Sequence, residues 1–210
     1  MVYAITPDQP DSARLLAQVG AALEGGVRIV QYRDKISAMP EKLTRARALV
    51  ALCHQYGAQL IINDDAVLAI ACGADGVHLG GDDGSIREAR RLLGPDMIIG
   101  ASCYDTLPLA QQALADGASY IAFGACFDSP TKPAARRITP SQLAEFRQAL
   151  GQAPAICGIG GITFTNVNQI GDHVDAIALI SELFGSPDHP ASPEQVHDRV
   201  SQFITEPQTA

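Results

Sequence analysis

The sequence lacks tryptophan, and aromatic residues of any kind make up only 5% of its 210 residues. Hydrophobic residues nevertheless account for 47% of the chain, so small aliphatic side chains must fill the interior. Such an interior is typical of proteins in which helices cover both faces of a parallel sheet. Charged residues, at 18%, are too few for a chain that stays disordered. The composition therefore predicts a folded α/β protein.

Positive charge is also scarce, because 15 Lys and Arg stand against 23 Asp and Glu, for a net charge of −8. A protein that binds nucleic acid or an anionic membrane normally carries the opposite balance. No apolar run approaches the ~18 residues that a membrane-spanning helix requires, and no basic segment leads into a long apolar run at the start. The sequence predicts a soluble, cytoplasmic protein whose partners include neither nucleic acid nor membrane.

Cysteine pairs at the spacing of metal or redox sites are absent as well. The number of cysteines is odd and none forms a C-x-x-C pair, which argues for reduced thiols in the cytosol and against a disulfide framework. The cysteines are Cys53, Cys72, Cys103, Cys126 and Cys157. The last three lie in or beside predicted strands and are interpreted as small buried hydrophobic residues.

What the sequence does contain is a regular succession of short apolar runs with helix-like segments between them. The runs are continuous rather than alternating, as expected for parallel strands buried on both faces. The predicted strands cover residues 2–6, 28–32, 59–63, 76–79, 97–102, 120–124, 155–158 and 176–180. The predicted helices include residues 13–25, 40–56, 86–93, 107–116 and 140–150, with capping residues at Asp11, at Asp105 with Thr106, and at Thr139.

This succession predicts a single-domain (β/α)₈ TIM barrel over residues 1–204, followed by a loose carboxyl-terminal tail over residues 205–210. A doubly wound open sheet is the alternative. It is disfavoured because no G-x-G-x-x-G motif follows the first strand. In barrels of this kind, binding and catalytic groups lie at the carboxyl ends of the strands, and polar residues follow nearly all of the predicted strands.

Basic residues follow the second predicted strand. Gln31, Arg33 and Lys35 alternate along the chain, so they project from one face wherever the backbone stays extended. Ordinary surface charge is the alternative, but the run continues directly from an apolar strand in a chain with little positive charge. Guanidinium and ammonium groups bind phosphate oxygens directly. The run therefore predicts an anion site, and Lys132, which lies between two prolines, is a second candidate cation.

Carboxylates follow the third and fourth predicted strands. Asp64 and Asp83 lie at these neighbouring ends, and a small number of hard oxygen ligands is typical of Mg²⁺ shared with substrate phosphates. Helix capping is the alternative interpretation, and it is preferred for Asp65. His78 is interpreted as a packed, hydrogen-bonded residue, since no second histidine stands at metal-binding spacing.

Glycines follow the seventh predicted strand and include Gly160 and Gly161. Glycine allows backbone N–H groups to approach an anion closely, and barrels often bind phosphate after strands seven and eight. Ser181 ends the eighth strand, which strengthens this interpretation, although close packing alone also explains paired glycines. The residues by themselves predict two anion sites, one of them assisted by metal, and hence phosphorylated substrates of which one is a diphosphate.

Taken together, these polar stretches resemble the thiamine-phosphate synthase family, in that family's order and over nearly the whole chain. The matching stretches are Gln31-Tyr32-Arg33-Asp34-Lys35, Ile62-Asn63-Asp64-Asp65, Gly76-Val77-His78-Leu79-Gly80, Gly100-Ala101-Ser102-Cys103, Ser129-Pro130-Thr131-Lys132-Pro133, Gly158-Ile159-Gly160-Gly161-Ile162 and Ile180-Ser181. Each stretch is unspecific alone, whereas the ordered set is highly specific.

The resemblance implies a Mg²⁺-dependent transferase that joins 4-amino-5-hydroxymethyl-2-methylpyrimidine diphosphate to a thiazole phosphate, giving thiamine phosphate and pyrophosphate by a dissociative mechanism. By analogy with the family, the diphosphate is held by Gln31, Arg33, Lys35, Asn63 and Lys132, with Mg²⁺ on Asp64 and Asp83. Ser102 lies near the leaving group and shares the catalytic role with Arg33, Lys35 and Lys132. The thiazole phosphate is bound by Ser129, Thr131, Gly161, Ile180 and Ser181.

One departure from the family is the pair Gly81-Asp82, where the family usually has Gln and Glu. A thiazole tautomerase-like relative, or a non-catalytic binder of thiazole phosphate on the same fold, is the nearest alternative. Neither would need the diphosphate-binding bases together with Asp64 and Asp83. A Schiff-base aldolase using Lys132 is disfavoured, because that lysine lies in a polar loop rather than in a desolvated pocket. The sequence does not determine the oligomeric state, and a homo-oligomer is compatible with it.

Overall fold

The structure, a computed structural model, describes residues 1–128 and 136–205. Its strands are β1 (Val2–Ile5), β2 (Ile29–Tyr32), β3 (Gln59–Asn63), β4 (Gly76–Leu79), β5 (Ile98–Tyr104), β6 (Tyr120–Phe123), β7 (Ala155–Ile159) and β8 (Ala176–Leu179). They form a closed barrel in which the strands follow one another in sequence order. The predicted α/β fold class and TIM-barrel architecture are confirmed, and the strand ends lie within two residues of the prediction.

Helices alternate with these strands. They are α1 (Ser12–Glu24), α2 (Met39–Gln55), α3 (Ala66–Cys72), α4 (Ile86–Leu93), α5 (Leu107–Ala115), α6 (Pro140–Leu150), α7 (Ser181–Phe184) and α8 (Pro193–Thr205), with 3₁₀ turns at Val167–Gln169 and Gly171–His173. Thr205, predicted to begin the tail, is the last residue of α8, and residues 206–210 of the predicted tail lie outside the described residues.

The helix starts follow from local side-chain chemistry. The Asp11 carboxylate accepts hydrogen bonds from two backbone N–H groups in the first turn of α1, and Thr139 forms a capping box with Gln142 at the start of α6. Both caps were predicted from the sequence. Asp65 caps α3, so the capping role predicted for it is confirmed. Thr106 precedes α5, but its side chain forms no capping hydrogen bond.

One compact unit of the described chain comprises Met1 and His78–Ala178. Parallel pairing joins β5 to β6, β6 to β7, and β7 to β8 within it. The interior side chains are aliphatic or aromatic and fully buried, among them Ile99, Ile121 and Phe123. A bulge in β5 between Ser102 and Tyr104 shifts the register against β6.

Two arginines fix the turns at the amino ends of strands in this unit. Arg90 of α4 donates to the carbonyl oxygen of Gly94 at 2.8 Å, and Arg147 of α6 donates to that of Gly151 at 3.3 Å. Each glycine is the residue that ends its helix, four positions after the arginine. The guanidinium groups thus satisfy backbone carbonyls that a helix end leaves without partners.

The other unit comprises Val2–Val77 and residues 179–205 of the described chain. Its strands β1, β2 and β3 pair in parallel, with Val30 in register with Ala4 on one side and Leu60 on the other. Helix α1 packs against α8, and both helices bury apolar side chains. Leu15 and Val200 are among those that are buried almost completely.

Within the described ranges, no helix is both long enough and apolar enough to cross a bilayer. The five cysteines all lie in these ranges as buried, free thiols. The burial expected for Cys103, Cys126 and Cys157 is therefore confirmed.

Candidate active site

The predicted anion-binding residues in and after β2 each form hydrogen bonds to neighbouring residues. Gln31 lies in the strand and is buried, and its amide nitrogen donates to the Tyr3 hydroxyl at 2.9 Å. The buried Thr6 hydroxyl accepts from the Arg33 backbone N–H at 2.9 Å and donates to the Arg33 carbonyl at 3.0 Å. The end of β1 therefore fixes the backbone from which the Arg33 guanidinium extends.

Asp8 joins two of these bases and was not predicted. Its carboxylate accepts from the Arg33 guanidinium at 2.8 Å and from the Lys35 backbone N–H at 2.7 Å. The signal in the sequence was the polar stretch Thr6-Pro7-Asp8, which follows the first strand just as the other polar stretches follow theirs. Asp8 orders the segment after β2 and neutralises part of its charge.

The ends of β2 and β3 bring three predicted residues together. The Lys35 ammonium donates to the Asp64 carboxylate, and the Asn63 amide nitrogen donates to the same carboxylate oxygen at 2.6 Å. Asp64 has a φ of 65°, which few residues other than glycine adopt. With Arg33 close by along the chain, this part of the unit combines two cations, an amide and a carboxylate.

A buried arginine anchors the segment that carries the bases. Arg45 of α2 donates to the Asp34 carboxylate at 3.2 Å and to the Ser37 hydroxyl at 2.9 Å. Burial by itself would raise the pKa of Asp34, but hydrogen bonds from Ser37, from the Tyr32 hydroxyl and from the Ile36 N–H outweigh it and lower the pKa to about 2. Asp34 therefore stays ionised as a structural partner of Arg45.

Asp83, in the other unit, belongs to a tight turn after β4. Its backbone N–H donates to the Gly80 carbonyl at 3.2 Å, and its carboxylate accepts from the Gly80 N–H at 3.0 Å. Tyr104, at a φ of 52°, accepts from the Gly81 N–H through its hydroxyl at 3.1 Å. Positive φ at a residue with a side chain costs about 1–2 kcal/mol. The tyrosine was not predicted, because the bulge that places it leaves no mark in the apolar pattern.

Ser102 lies within hydrogen-bond distance of His78, the histidine predicted from the sequence to be a packed residue. His78 Nε2 lies 2.9 Å from Ser102 Oγ, and His78 Nδ1 lies 2.8 Å from the Tyr120 hydroxyl. His78 is 9% exposed and Tyr120 is 8% exposed, and their rings stack with centroids 5.5 Å apart. The buried, hydrogen-bonded environment expected for His78 is confirmed, whereas its contact with Ser102 was not foreseen.

The glycines after β7 pack closely against the segment that follows β6. Gly160 and Gly161 have φ values of 95° and 63°, and a Cβ atom on Gly161 would lie 2.3 Å from the Asp128 carbonyl oxygen. The Gly160 carbonyl accepts from the Phe127 N–H at 2.9 Å. Packing thus accounts for both glycines, and the phosphate contact of Gly161 stays a prediction.

Ile180 and Ser181 lie at the end of β8. Ser181 is exposed and is the first residue of α7, and its carbonyl accepts from the Gly185 N–H at 2.8 Å. The predicted residues Ser129, Thr131 and Lys132 lie outside the described residues. Across the ranges that are described, no three His, Cys, Asp or Glu side chains form a group that could hold a metal, and the predicted set consists of two carboxylates.

Comparison with known proteins supplies the family. The chain matches the family model described as thiamine monophosphate synthase over residues 2–183. A thiamine-phosphate synthase of Thiobacillus denitrificans is 50% identical over 188 residues, which cover 89% of this chain and 88% of the relative. One from Chromobacterium violaceum is 50% identical over 192 residues, 91% of each chain. A thiamine phosphate pyrophosphorylase structure from Pyrococcus furiosus superposes with a TM-score of 0.80 at 31% identity, covering 97% of this chain and 96% of that one.

The closed barrel defines the class, a (β/α)₈ protein with polar side chains after its strands. The chain belongs to the thiamine monophosphate synthase family and is accordingly a transferase. The resemblance drawn from the ordered motifs is confirmed.

Proposed function

We propose that the chain transfers the pyrimidinylmethyl group of 4-amino-5-hydroxymethyl-2-methylpyrimidine diphosphate to the ring nitrogen of a thiazole phosphate. The products would be thiamine phosphate and pyrophosphate. The observation that carries this proposal is the cluster of Arg33, Lys35, Asn63 and Asp64, which offers a diphosphate two cations and an amide beside a hard carboxylate. Membership of the family supports the same reaction.

The cations of this cluster are paired in a way that a diphosphate can replace. The Arg33–Asp8 and Lys35–Asp64 pairs are partly exposed, with 30% of the Arg33 side chain and 50% of the Lys35 side chain accessible. Exposed ion pairs are worth only about 0–1 kcal/mol. Charge-assisted bonds to a multiply charged phosphate are stronger, so exchanging the carboxylates for phosphate oxygens costs little.

Mg²⁺ is the metal that fits the predicted ligands. Asp64 and Asp83 supply hard carboxylate oxygens, and Mg²⁺ typically binds one or two carboxylates together with substrate phosphates. The Asn63 amide, which donates to the Asp64 carboxylate, fixes that carboxylate in place. When bound, Mg²⁺ would neutralise charge on the diphosphate.

In the proposed dissociative reaction, the bond between the pyrimidine methylene carbon and the diphosphate oxygen breaks first, and its electron pair leaves with pyrophosphate. The pyrimidine ring stabilises the resulting cation, and the lone pair of the thiazole nitrogen forms the new C–N bond. The protein's own contribution is electrostatic. Arg33, Lys35, Lys132 and the Ser102 hydroxyl would stabilise the charge that develops on the leaving group, with Gln31 and Asn63 orienting the diphosphate.

The thiazole phosphate does not react at its phosphate, so its site needs only to hold it. By resemblance to the family, we assign this role to Ser129, Thr131, Gly161, Ile180 and Ser181. We also assign the protein to the cytoplasm, with small molecules as its partners. Five buried free thiols support that location.

The test is incubation of the purified full-length protein with both precursors and Mg²⁺. We expect thiamine phosphate and pyrophosphate in equal amounts, and neither product when one precursor is omitted. A tautomerase-like or purely binding protein would consume no diphosphate. Absence of thiamine phosphate under these conditions would overturn the proposed function.

A further inference from the structure

We propose that His78 and Tyr120 are positioning residues that keep the Ser102 hydroxyl proton free to donate to the departing pyrophosphate. This inference rests on the proposed function, in which Ser102 lies near the leaving group. In this arrangement the imidazole proton of His78 resides on Nε2, facing Ser102, and not on Nδ1.

The three side chains form a chain of hydrogen bonds from the interior to a strand end. Tyr120, at the start of β6, and His78, in β4, are both buried. Ser102, near the end of β5, is partly exposed. Distances of 2.8 Å and 2.9 Å join Tyr120 to His78 and His78 to Ser102. The only accessible member is therefore the hydroxyl that could meet a ligand.

The absence of a side chain at Gly100 leaves room for the Tyr120 and His78 rings. A Cβ atom at that position would lie 2.1 Å from the Tyr120 ring and 2.4 Å from His78 Nδ1. Any larger residue would force the phenol and the imidazole apart. Gly100 is in register with Tyr120 across the β5–β6 pair, so the missing side chain admits the two rings directly beside the strand.

The direction of the two hydrogen bonds depends on which ring nitrogen of His78 carries the proton. A neutral imidazole has one N–H and one acceptor nitrogen, and a serine hydroxyl has a single proton to donate. If Nδ1 carried the imidazole proton, Nε2 would take the proton of Ser102, and the serine could offer an anion only lone pairs. If Nε2 carries it, the imidazole donates to Ser102 Oγ, the Tyr120 hydroxyl donates to Nδ1, and the serine proton points to the ligand.

The purpose of Tyr120 in this scheme is to select the tautomer. A phenol that donates to Nδ1 stabilises the form protonated at Nε2. Donors directed at a developing negative charge stabilise a transition state most when they need no reorientation. We therefore expect the hydrogen bonds from Tyr120 through His78 to Ser102 to affect the rate of pyrophosphate departure more than the binding of the diphosphate.

The first experiment reads the tautomer directly. Protein labelled with ¹⁵N-histidine gives imidazole signals whose ¹⁵N shifts distinguish the two neutral tautomers and the imidazolium, and His78→Asn identifies the signals of His78. We expect the Nε2–H form in the resting protein and in protein with Mg²⁺ and inorganic pyrophosphate. An Nδ1–H tautomer or an imidazolium would overturn the inference.

The second experiment asks whether Tyr120 acts through Ser102. Tyr120→Phe keeps the stacked ring and should lower kcat about tenfold with little change in KM for the diphosphate. In a Ser102→Ala background the same substitution should change kcat less than about twofold, because the serine through which it acts is gone. A purely structural role would lower kcat by the same factor in both backgrounds, and that result would contradict the inference.

A matched pair of variants at position 78 adds a rescue. His78→Gln can place an amide donor near the position of Nε2, whereas the shorter His78→Asn reaches only to the position of Nδ1. We expect the glutamine variant to retain clearly more kcat than the asparagine variant, with similar thermal midpoints. Equal kcat values in two folded variants would count against donation to Ser102.

These outcomes separate this inference from the proposed function. If the wild-type protein forms no thiamine phosphate, the proposed function fails whatever the tautomer. If it turns over while His78 carries its proton on Nδ1, only the inference about the hydrogen-bond chain fails.

Discussion

Tyr104 lies directly against Gly81, since its hydroxyl accepts from the Gly81 N–H at 3.1 Å and a Cβ atom on Gly81 would lie 3.2 Å from the same oxygen. The family usually has a glutamine at this position, and here the tyrosine from β5 occupies the neighbouring space. The contact steadies the turn that carries Asp83. Tyr104 is nevertheless 47% exposed, so it contributes little to the core.

This contact predicts that Tyr104→Phe weakens Mg²⁺ binding, and so raises the Mg²⁺ requirement, without unfolding the protein. Loss of one exposed hydrogen bond of about 1 kcal/mol should raise the Mg²⁺ concentration for half-maximal activity roughly fivefold. The measurement is initial rate against Mg²⁺ concentration. Tyr56→Phe is the matched control, since the Tyr56 hydroxyl bonds to Glu24 far along the chain from these residues. Identical Mg²⁺ curves for wild type and Tyr104→Phe would rule out the role assigned to Tyr104.

Asp8 should matter as an acceptor more than as a charge. Asp8→Ala removes the acceptor for the Lys35 backbone N–H and the partner of Arg33, and we expect kcat/KM for the diphosphate to fall about tenfold. Asp8→Asn keeps an oxygen acceptor, so we expect its kcat/KM for the diphosphate to fall by less than about threefold. Steady-state kinetics of the two variants give the comparison. An asparagine variant as poor as the alanine variant would show that charge is what counts.

The metal assignment predicts that Asp64 and Asp83 behave differently from Asp65, the sequence neighbour of Asp64. Asp64→Asn and Asp83→Asn should each raise the Mg²⁺ requirement at least about tenfold, because each removes a hard ligand. Asp65→Ala is the control, since Asp65 caps α3 and its loss should cost about 1 kcal/mol of stability with no change in the Mg²⁺ requirement. Rate measurements and denaturant unfolding separate the two effects. Wild-type Mg²⁺ curves in both asparagine variants would refute the site.

The buried Asp34–Arg45 pair predicts a specific loss of stability in acid. The pKa of Asp34 is lowered from 3.8 to about 2, so the stabilisation is fully present above about pH 4 and declines as the pH falls toward 2. At 1.36 kcal/mol per pKa unit, the hydrogen bonds from Ser37, Tyr32 and Ile36 that lower this pKa contribute about 2 kcal/mol at neutral pH. Asp34→Asn should therefore flatten the fall in the free energy of unfolding between pH 5 and pH 2.5 by about 1.5 kcal/mol. Denaturant titrations of both proteins at the two pH values measure this, and parallel declines would contradict it.

Gly161 should prove indispensable for packing. At a φ of 63°, a Cβ atom there would collide with the backbone of Phe127 and Asp128, so Gly161→Ala should destabilise the protein by more than about 2 kcal/mol. Gly73→Ala is the control, because Gly73 has left-handed φ and ψ values of 76° and 33° with open space around it and should cost only about 1 kcal/mol. Thermal or denaturant unfolding compares them. Equal losses in the two variants would show that backbone conformation, and not the collision, sets the cost.

Much of the fold could be predicted because its signals are local. Continuous apolar runs mark buried parallel strands, and capping residues such as Asp11 and Thr139 mark helix starts within a few positions. The bulge that ends β5 could not be predicted, since it depends on pairing with β6. That is why the predicted strand stopped at residue 102 while the observed one continues to Tyr104.

The site residues likewise divide into those with a local signal in the sequence and those defined by long-range contacts. Arg33, Lys35 and Asp64 could be proposed because each follows a strand, and the carboxyl ends of barrel strands carry function. Asp8 and the chain from Tyr120 through His78 to Ser102 are defined by contacts between residues distant in sequence. A single histidine or tyrosine in an apolar strand gives no local sign of its partner.

The buried thiols have a chemical consequence beyond filling space. Burial raises the pKa of Cys103, the neighbour of Ser102, to about 12, and that of Cys126 to about 11. Only the thiolate is a strong nucleophile, so at neutral pH these sulfurs are covered and almost wholly protonated. The dissociative reaction proposed for this chain would release an alkylating carbocation inside the protein. A buried, protonated sulfur is a poor trap for that cation, so we expect Cys103 and Cys126 to stay unmodified through turnover.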